Sequence, residues 1–312
     1  MLAVHRVRDL HIDPIAHPRG RTYLSAASGL VRVGDQLYVV ADDEHYLAVF
    51  DATSPEAPGR LLRLFDGGLP ASPKKRKAQK PDIESLTLLP AMPGCPSGAL
   101  FGLGSGSRPN RNSGVLLTLD SGGCVEGAVR HIDLMPLYAP LSSQFAELNV
   151  EGALVVGDEL LLLQRGNKGG SPNACIHLAW ADVLPWLLGR STAPVHASVV
   201  QRFDLGQVDG IPLCFTDGAA LPGGAWVFSA AAESVDDSYN DGLCVGASIG
   251  LVDANGTLRS MQALAPSFKV EGIVADLDGD ELTLTMVTDA DDAEIPSQLL
   301  SARMSLTTLG TG

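Results

Sequence analysis

The sequence predicts an all-β fold, a five-bladed β-propeller with four antiparallel strands per blade, built as a single domain over residues 1–312. Three observations lead to this prediction. A short strand-opening segment recurs along the chain, and patterns typical of further strands follow it. The last repeat lacks a fourth strand. A strand-like segment that belongs to no repeat lies before the first repeat.

The strand-opening segments share a polar or acidic first residue followed by small and apolar residues. They begin at Ser28, Glu84, Glu151, Asp217 and Glu271. They recur at intervals of roughly 55–67 residues, somewhat longer than compact propeller repeats, so long loops between strands are expected.

Turn signals and further strands follow these openings. Gly34-Asp35, Gly157-Asp158 and Gly223-Gly224 lie between β-forming residues, as hairpin turns do. A third apolar strand comes next, and then a fourth that alternates charged and apolar residues, as a half-exposed outer strand should. The predicted blades cover 25–66, 82–135, 149–205, 215–264, and 269–304 together with 1–12.

One segment does not have a strand pattern. Residues 179–188 (AWADVLPWLL) fit a short helix inserted between the third and fourth strands of the third repeat.

The two ends of the chain complement each other. Residues 2–12 carry the outer-strand alternation, and the fifth repeat stops after its third strand. We therefore expect the N-terminal strand to join the last blade, which closes the ring and removes exposed strand edges.

Composition limits the partners. The formal net charge of −14 argues against nucleic acid, which is bound through many Lys and Arg contacts to phosphate. No apolar run is long enough to span a membrane, and the charged first residues do not resemble a secretory signal, so a cytoplasmic location is expected. The five widely spaced cysteines indicate free thiols.

The predicted ring brings acidic residues together. The repeat openings converge on a central channel at one face, which places Glu84, Glu151, Asp217 and Glu271 around the axis, with Asn149 two residues before Glu151 on the same side of its strand. Facing carboxylates repel one another, and a bound cation would resolve this. Oxygen-only ligands favour Ca²⁺, with Mg²⁺ or Mn²⁺ as alternatives. The other interpretation is that these acids accept backbone N–H groups and hold neighbouring blades together.

Basic residues are predicted on the same face. Arg108, Arg165, Asn167 and Lys168 follow the second strands of the second and third repeats, and their grouping suits a small anionic substrate. The alternative is that these cations offset the acids around them. The basic run 74–80 enters the second repeat on this face and is interpreted as a solvated loop. The alternative is that it covers the site.

The segment 81–86 (PDIESL) and the Glu-Gly pairs at Glu151 and Glu271 resemble strand openings of the phytase-like esterase propellers. They are also similar to the Glu-Gly motif of calcium-dependent lactonase propellers related to gluconolactonase. The resemblance implies that Glu84, Glu151 and Glu271 bind metal. This sequence departs from the pattern at Ser28, where an acid is expected, and at Ser85, which replaces glycine.

The resulting hypothesis is a metal-dependent hydrolase of a small anionic ester, phosphoester or lactone. The catalytic candidates are Glu84, Glu151, Glu271 and Asp217; the metal ligands are Glu84, Glu151, Glu271 and Asn149; the substrate-binding residues are Arg108, Arg165, Asn167 and Lys168. The alternative is a non-catalytic propeller that binds a metabolite or a protein.

Overall fold

The computed structural model describes residues 1–13, 15, 17–167, 169–234 and 242–306. Over these ranges the regular structure is mostly β-strand, with three short α-helices, α1 (Pro73–Gln79), α2 (Met135–Tyr138) and α3 (Trp180–Leu187). Helix α3 lies where the sequence predicts a helical insertion. No helix in the described part of the chain has the length and hydrophobicity required to cross a bilayer.

Three four-stranded antiparallel sheets follow one another along the first two thirds of the chain. The first consists of β2 (Ala27–Val33), β3 (Gln36–Ala41), β4 (Tyr46–Asp51) and β5 (Arg60–Arg63). The second consists of β6 (Ile83–Leu89), β7 (Ala99–Gly104), β8 (Ser113–Leu119) and β9 (Val125–Asp133). The third consists of β10 (Val150–Val156), β11 (Glu159–Gln164), β12 (Asn173–Ala179) and β13 (Val199–Phe203).

The remaining strands form one nine-stranded sheet. In spatial order these are β14 (Gln207–Val208), β15 (Ile211–Ala220), β16 (Trp226–Glu233), β17 (Cys244–Val252), β18 (Leu258–Ala265), β1 (Leu2–Asp9), β21 (Gln298–Ser305), β20 (Glu281–Thr288) and β19 (Val270–Asp278).

The prediction of a five-bladed propeller with separate four-stranded blades is wrong. Strand β1 pairs antiparallel with β21, but its first residues also pair in parallel with β18, with Leu2 opposite Leu264 and Ala3 opposite Ala265. Both edges of β1 are therefore hydrogen-bonded, because backbone N–H and C=O groups at an open strand edge pair with whatever strand end lies beside them. The last two groups of strands merge into a single sheet as a result.

Strands β2, β6, β10, β15 and β19 contact one another in cyclic order, and β19 contacts β2. These five strands, called the inner strands below, surround a central channel. Apolar clusters fill the spaces between neighbouring groups of strands. The chain therefore has a ring-shaped architecture, and the first residues of the inner strands share one face.

Candidate functional site

Each inner strand carries one β-bulge near its start. The pairing registers shift around Ser28, Glu84, Glu151, Thr216 and Glu271, which are the extra residues of the five bulges. A bulge leaves one residue out of the hydrogen-bonded ladder and redirects its side chain. The sequence pattern placed Asp217 in this series, whereas the strand pairing places Thr216 there, one residue earlier.

The hydroxyl residues of this series tie inner strands together. Ser28 Oγ donates a hydrogen bond to the Ile83 carbonyl at 2.7 Å, and Thr216 Oγ1 donates to the Val270 carbonyl at 2.6 Å. Each bond joins an inner strand to the next one in the ring. These two bulge positions serve the scaffold.

Asp217 is almost completely buried and also bridges strands. Its Oδ2 accepts the backbone N–H of Ile273 on β19 at 2.9 Å. Burial raises the pKa of this carboxyl well above its usual value, despite hydrogen bonds from the Ile273 and Gly218 backbones. A Cβ at Gly152 would lie 3.0 Å from the Asp217 Cα, so glycine permits this close approach. For Asp217, this geometry matches the structural alternative stated above.

One carboxylate cluster lies at the start of β6. Carboxylate oxygens of Asp42, Asp82 and Glu84 lie within 4.8 Å of one another. Lys80 Nζ is 2.8 Å from Asp82 Oδ1 and also contacts Asp42, and Arg111 lies 2.8 Å from Asp82 Oδ2. We call Asp42, Asp82 and Glu84 the triacid cluster.

The members of the triacid cluster differ in their partners. Burial alone would raise the pKa of Asp82, but Lys80 and Arg111 hold this pKa below its ordinary value. Burial, with Asp82 and Asp42 as further causes, raises the pKa of Glu84 well above its ordinary value. Among the described residues, the Glu84 carboxylate has neither a hydrogen-bond partner nor an ion-pair partner. It is therefore the unsatisfied acid of this group.

A second cluster surrounds Arg165, whose side chain is 12% exposed. Its guanidinium lies 3.2 Å from Glu151, 2.7 Å from Glu233 and 3.7 Å from Glu271. Lys269 Nζ lies 3.0 Å from the same Glu233 oxygen and 3.3 Å from Glu271. We call these five residues the Arg165 cluster.

The carboxyl groups of the Arg165 cluster ionise at very different pH. Burial raises the pKa of Glu271 to about 8, although Lys269 and Arg165 oppose the shift. Burial acts in the same direction on Glu233, but Arg165 and Lys269 outweigh it and lower the pKa to about 2. Two carboxyl groups that share one ammonium therefore differ in charge at neutral pH, an arrangement suited to acid–base chemistry.

The other predicted site residues lie around these clusters. Asn149 Nδ2 donates to Glu151 Oε1 at 2.6 Å, which fixes that carboxylate. Asn167 Nδ2 donates to Glu147 at 2.7 Å. Arg108 is exposed and lines a separate cavity of about 400 Å³ together with Glu147. Lys168 lies outside the described residues.

The predicted basic residues have different surroundings. Arg165 contacts three carboxylates, while Arg108 lines the cavity at Glu147. A common role of Arg108, Arg165, Asn167 and Lys168 in binding an anionic substrate stays a prediction. The basic run 74–80 does lie over this face: Lys80 pairs with the triacid cluster, and Arg76 Nε lies 2.9 Å from Asp43 Oδ2.

Sequence reasoning did not select Asp42, Lys80, Glu233 or Lys269. For the two lysines a signal exists, because Lys80, Asp82 and Glu84 alternate, as do Lys269 and Glu271, and alternate residues share one side of an extended chain. Asp42 and Glu233 lie at the ends of second strands, and no local pattern connects them with the openings.

Two cavities open beside these clusters. One, of about 340 Å³, is lined by Asp42, Asp43, Arg76, Lys80 and Asp289, among others. The second, of about 600 Å³, lies next to Lys269. Small molecules can therefore approach both groups of acids from this face, which we call the acidic mouth.

Comparisons with solved structures agree with a propeller-type fold. Glutaminyl cyclase from Myxococcus xanthus is 11% identical over 97% of each chain, with a TM-score of 0.52. The α-L-arabinofuranosidase of Podospora anserina is 9% identical over 97% of this chain and 96% of that one, with a TM-score of 0.50. At these identities the similarity concerns the fold.

Sequence comparison gives a family. No curated protein matches the sequence significantly. A family model described as "Family of unknown function (DUF6929)" matches residues 23–304, which include all five inner strands and both carboxylate clusters. The chain with this ring of bulged inner strands therefore belongs to the DUF6929 family.

Proposed function

We propose that this chain is a metal-dependent hydrolase that cleaves a small ester, phosphoester or lactone at the acidic mouth. The observation that carries the proposal is the state of Glu84, a carboxylate without a partner among the described residues, beside two further acids within 4.8 Å. A divalent cation is the ligand that such an oxygen-only group favours, and Ca²⁺ is the first candidate, before Mg²⁺ or Mn²⁺.

Lys80 would compete with a cation at this site. Its ammonium pairs with Asp42 and Asp82. Burial alone would lower the pKa of Lys80, but these two acids raise it well above its usual value. A cation at the triacid cluster must therefore compete with a fixed positive charge. Asp82 keeps Arg111 and Ser105 as partners when Lys80 moves away.

A bound divalent cation would polarise the scissile group and lower the pKa of water. The chain itself supplies Glu271, which holds its proton at neutral pH because its pKa is about 8, and Glu233, which is ionised. We assign Glu271 as the general acid and Glu233 as the residue that keeps Lys269 and Arg165 in place. Arg165 is not assigned to a substrate anion, since three carboxylates already surround it.

The resemblance to phytase-like esterases and calcium-dependent lactonases supports the same proposal. It rests on the Glu84, Glu151 and Glu271 openings, and only Glu84 lies in the triacid cluster. Glu151 and Glu271 lie in the Arg165 cluster, beside cations of the protein.

Isothermal titration with Ca²⁺ tests the cation site. Glu84→Gln should weaken binding about tenfold or more, because it removes a charged ligand. Lys80→Met should tighten binding and increase the thermal stabilisation by Ca²⁺, because it removes the competing ammonium. Lys75→Met, at an exposed lysine on the helix α1 that precedes Lys80, is the matched control and should bind like the wild type.

Hydrolysis is measured with p-nitrophenyl acetate, bis-p-nitrophenyl phosphate and a γ-lactone, each with Ca²⁺ and with a chelator. We expect turnover that depends on Ca²⁺ and falls at least tenfold in Glu271→Gln. Binding of Ca²⁺ without turnover of any of these compounds would contradict the enzyme proposal and favour a ligand-binding protein. Unchanged Ca²⁺ affinity in both Glu84→Gln and Lys80→Met would contradict the cation site.

A further inference from the structure

A cavity of about 600 Å³ lies between the connections that join strands of the nine-stranded sheet at the acidic mouth. Its walls come from the segments before β17, between β18 and β19, and between β20 and β21. This volume is within the range of small-molecule sites, which combine apolar walls with a few polar groups.

The apolar wall is unusual for its exposure. Leu243 is 76% and Ile295 44% exposed, and both line this cavity together with the half-buried Phe268. Single exposed apolar side chains are ordinary, but several on one concave surface indicate a surface that is covered by a ligand.

The polar wall carries Lys269 and the acids Asp291 and Asp289. Lys269 Nζ lies 2.6 Å from Asp291 and also contacts Glu233 and Glu271, which in turn pair with Arg165. Asp289 lines the same wall. Within the described ranges, its carboxylate accepts one hydrogen bond, from the Asp291 backbone N–H at 2.8 Å, and has no ion-pair partner.

We propose that this cavity binds a small organic amine, with its ammonium group on the Asp289 carboxylate and its apolar body against Phe268, Ile295 and Leu243. The Asp289 carboxylate, which has no ion-pair partner among the described residues, selects a cation over an anion, and the exposed apolar wall selects an organic cation over an inorganic one. The inference is independent of hydrolysis and of a cation at Glu84.

Calorimetric titration of the full chain with benzylamine, benzyl alcohol and benzoate tests the proposal. The three probes share one apolar body and differ in the charged group. Benzylamine should bind about tenfold more tightly than benzyl alcohol, as charge-assisted hydrogen bonds are stronger than neutral ones, and benzoate should bind most weakly.

Two variants separate the parts of the site. Asp289→Asn should reduce benzylamine binding to the level of benzyl alcohol, while Asp292→Asn, an exposed acid of the same connection that does not line the cavity, should have no effect. Ile295→Ala should weaken both probes severalfold and equally. Binding of benzoate as tight as that of benzylamine, or full benzylamine binding in Asp289→Asn, would overturn the proposal, and neither result depends on catalytic activity.

Discussion

Replacing Arg165 by methionine removes the cation shared by Glu151, Glu233 and Glu271 while keeping the aliphatic volume. These carboxylates are buried, and Lys269 alone would remain to neutralise Glu233 and Glu271. Breaking a buried ion pair by removing one partner typically costs about 3–5 kcal/mol of unfolding free energy. In a chain of 312 residues that corresponds to a fall of roughly 5–8 °C in melting temperature.

The loss of unfolding free energy in Arg165→Met should grow as pH rises. Glu233 has a folded pKa of about 2, below its ordinary value of 4.5, so its ion pairs contribute stability that is present above pH 4.5 and is lost as pH falls towards 2. Without Arg165 this contribution shrinks, and the neighbouring acids become more costly to ionise. The difference between wild type and variant should therefore be smallest near pH 2 and largest above pH 7.

Thermal and urea unfolding at several pH values measure this difference. Arg259→Met, which removes an exposed arginine 3.6 Å from Asp253, is the control and should change the melting temperature little. If Arg165→Met melts within a degree or two of the wild type at pH 7, or if phosphate stabilises the wild type but not the variant, Arg165 serves an external anion and our assignment fails.

Three further predictions concern stability. Deleting residues 1–12 removes the pairing of β1 with both β18 and β21, and should lower the melting temperature sharply or cause aggregation in light scattering, whereas intact stability would contradict the observed pairing. Gly152→Ala should cost about 1–3 kcal/mol in urea unfolding, because its Cβ would lie 3.0 Å from both the Asp217 Cα and a Leu163 methyl; Gly157→Ala, which has open space but a positive φ, separates this steric cost from backbone strain. Glu271 has a folded pKa of about 8, above its ordinary value of 4.5, so the wild type should lose stability relative to Glu271→Gln as pH rises from 4.5 to 8, by roughly 4 kcal/mol, and parallel pH profiles would refute the shift.

Local patterns predicted most strands. The Gly34-Asp35 and Gly157-Asp158 turns do join β2 to β3 and β10 to β11, and both glycines have positive φ, as tight hairpins require. The nine-stranded sheet was not predictable in this way. Its joining contact involves Leu2 and Ala3 against Leu264 and Ala265, a parallel pairing that leaves no periodic signal.

The site was predictable where it depended on alternation along one strand. The openings at Glu84, Glu151 and Glu271 are equivalent bulge residues, but the equivalence of Thr216 became visible only from the strand pairing, because Asp217 resembles the acids more closely. The ion pairs of Arg165 join residues of β10, β16 and β19. Such contacts depend on how the ring brings distant strand ends together, and no sequence window contains them.

The most direct test of the proposed function is the location of a bound cation. Crystals grown or soaked with Ca²⁺, and with Mn²⁺ for its anomalous signal, should show a peak about 2.3–2.6 Å from oxygens of Asp42, Asp82 and Glu84, with the Lys80 ammonium displaced. A structure in millimolar Ca²⁺ in which Lys80 still pairs with Asp42 and Asp82, and no peak lies beside Glu84, would contradict the account.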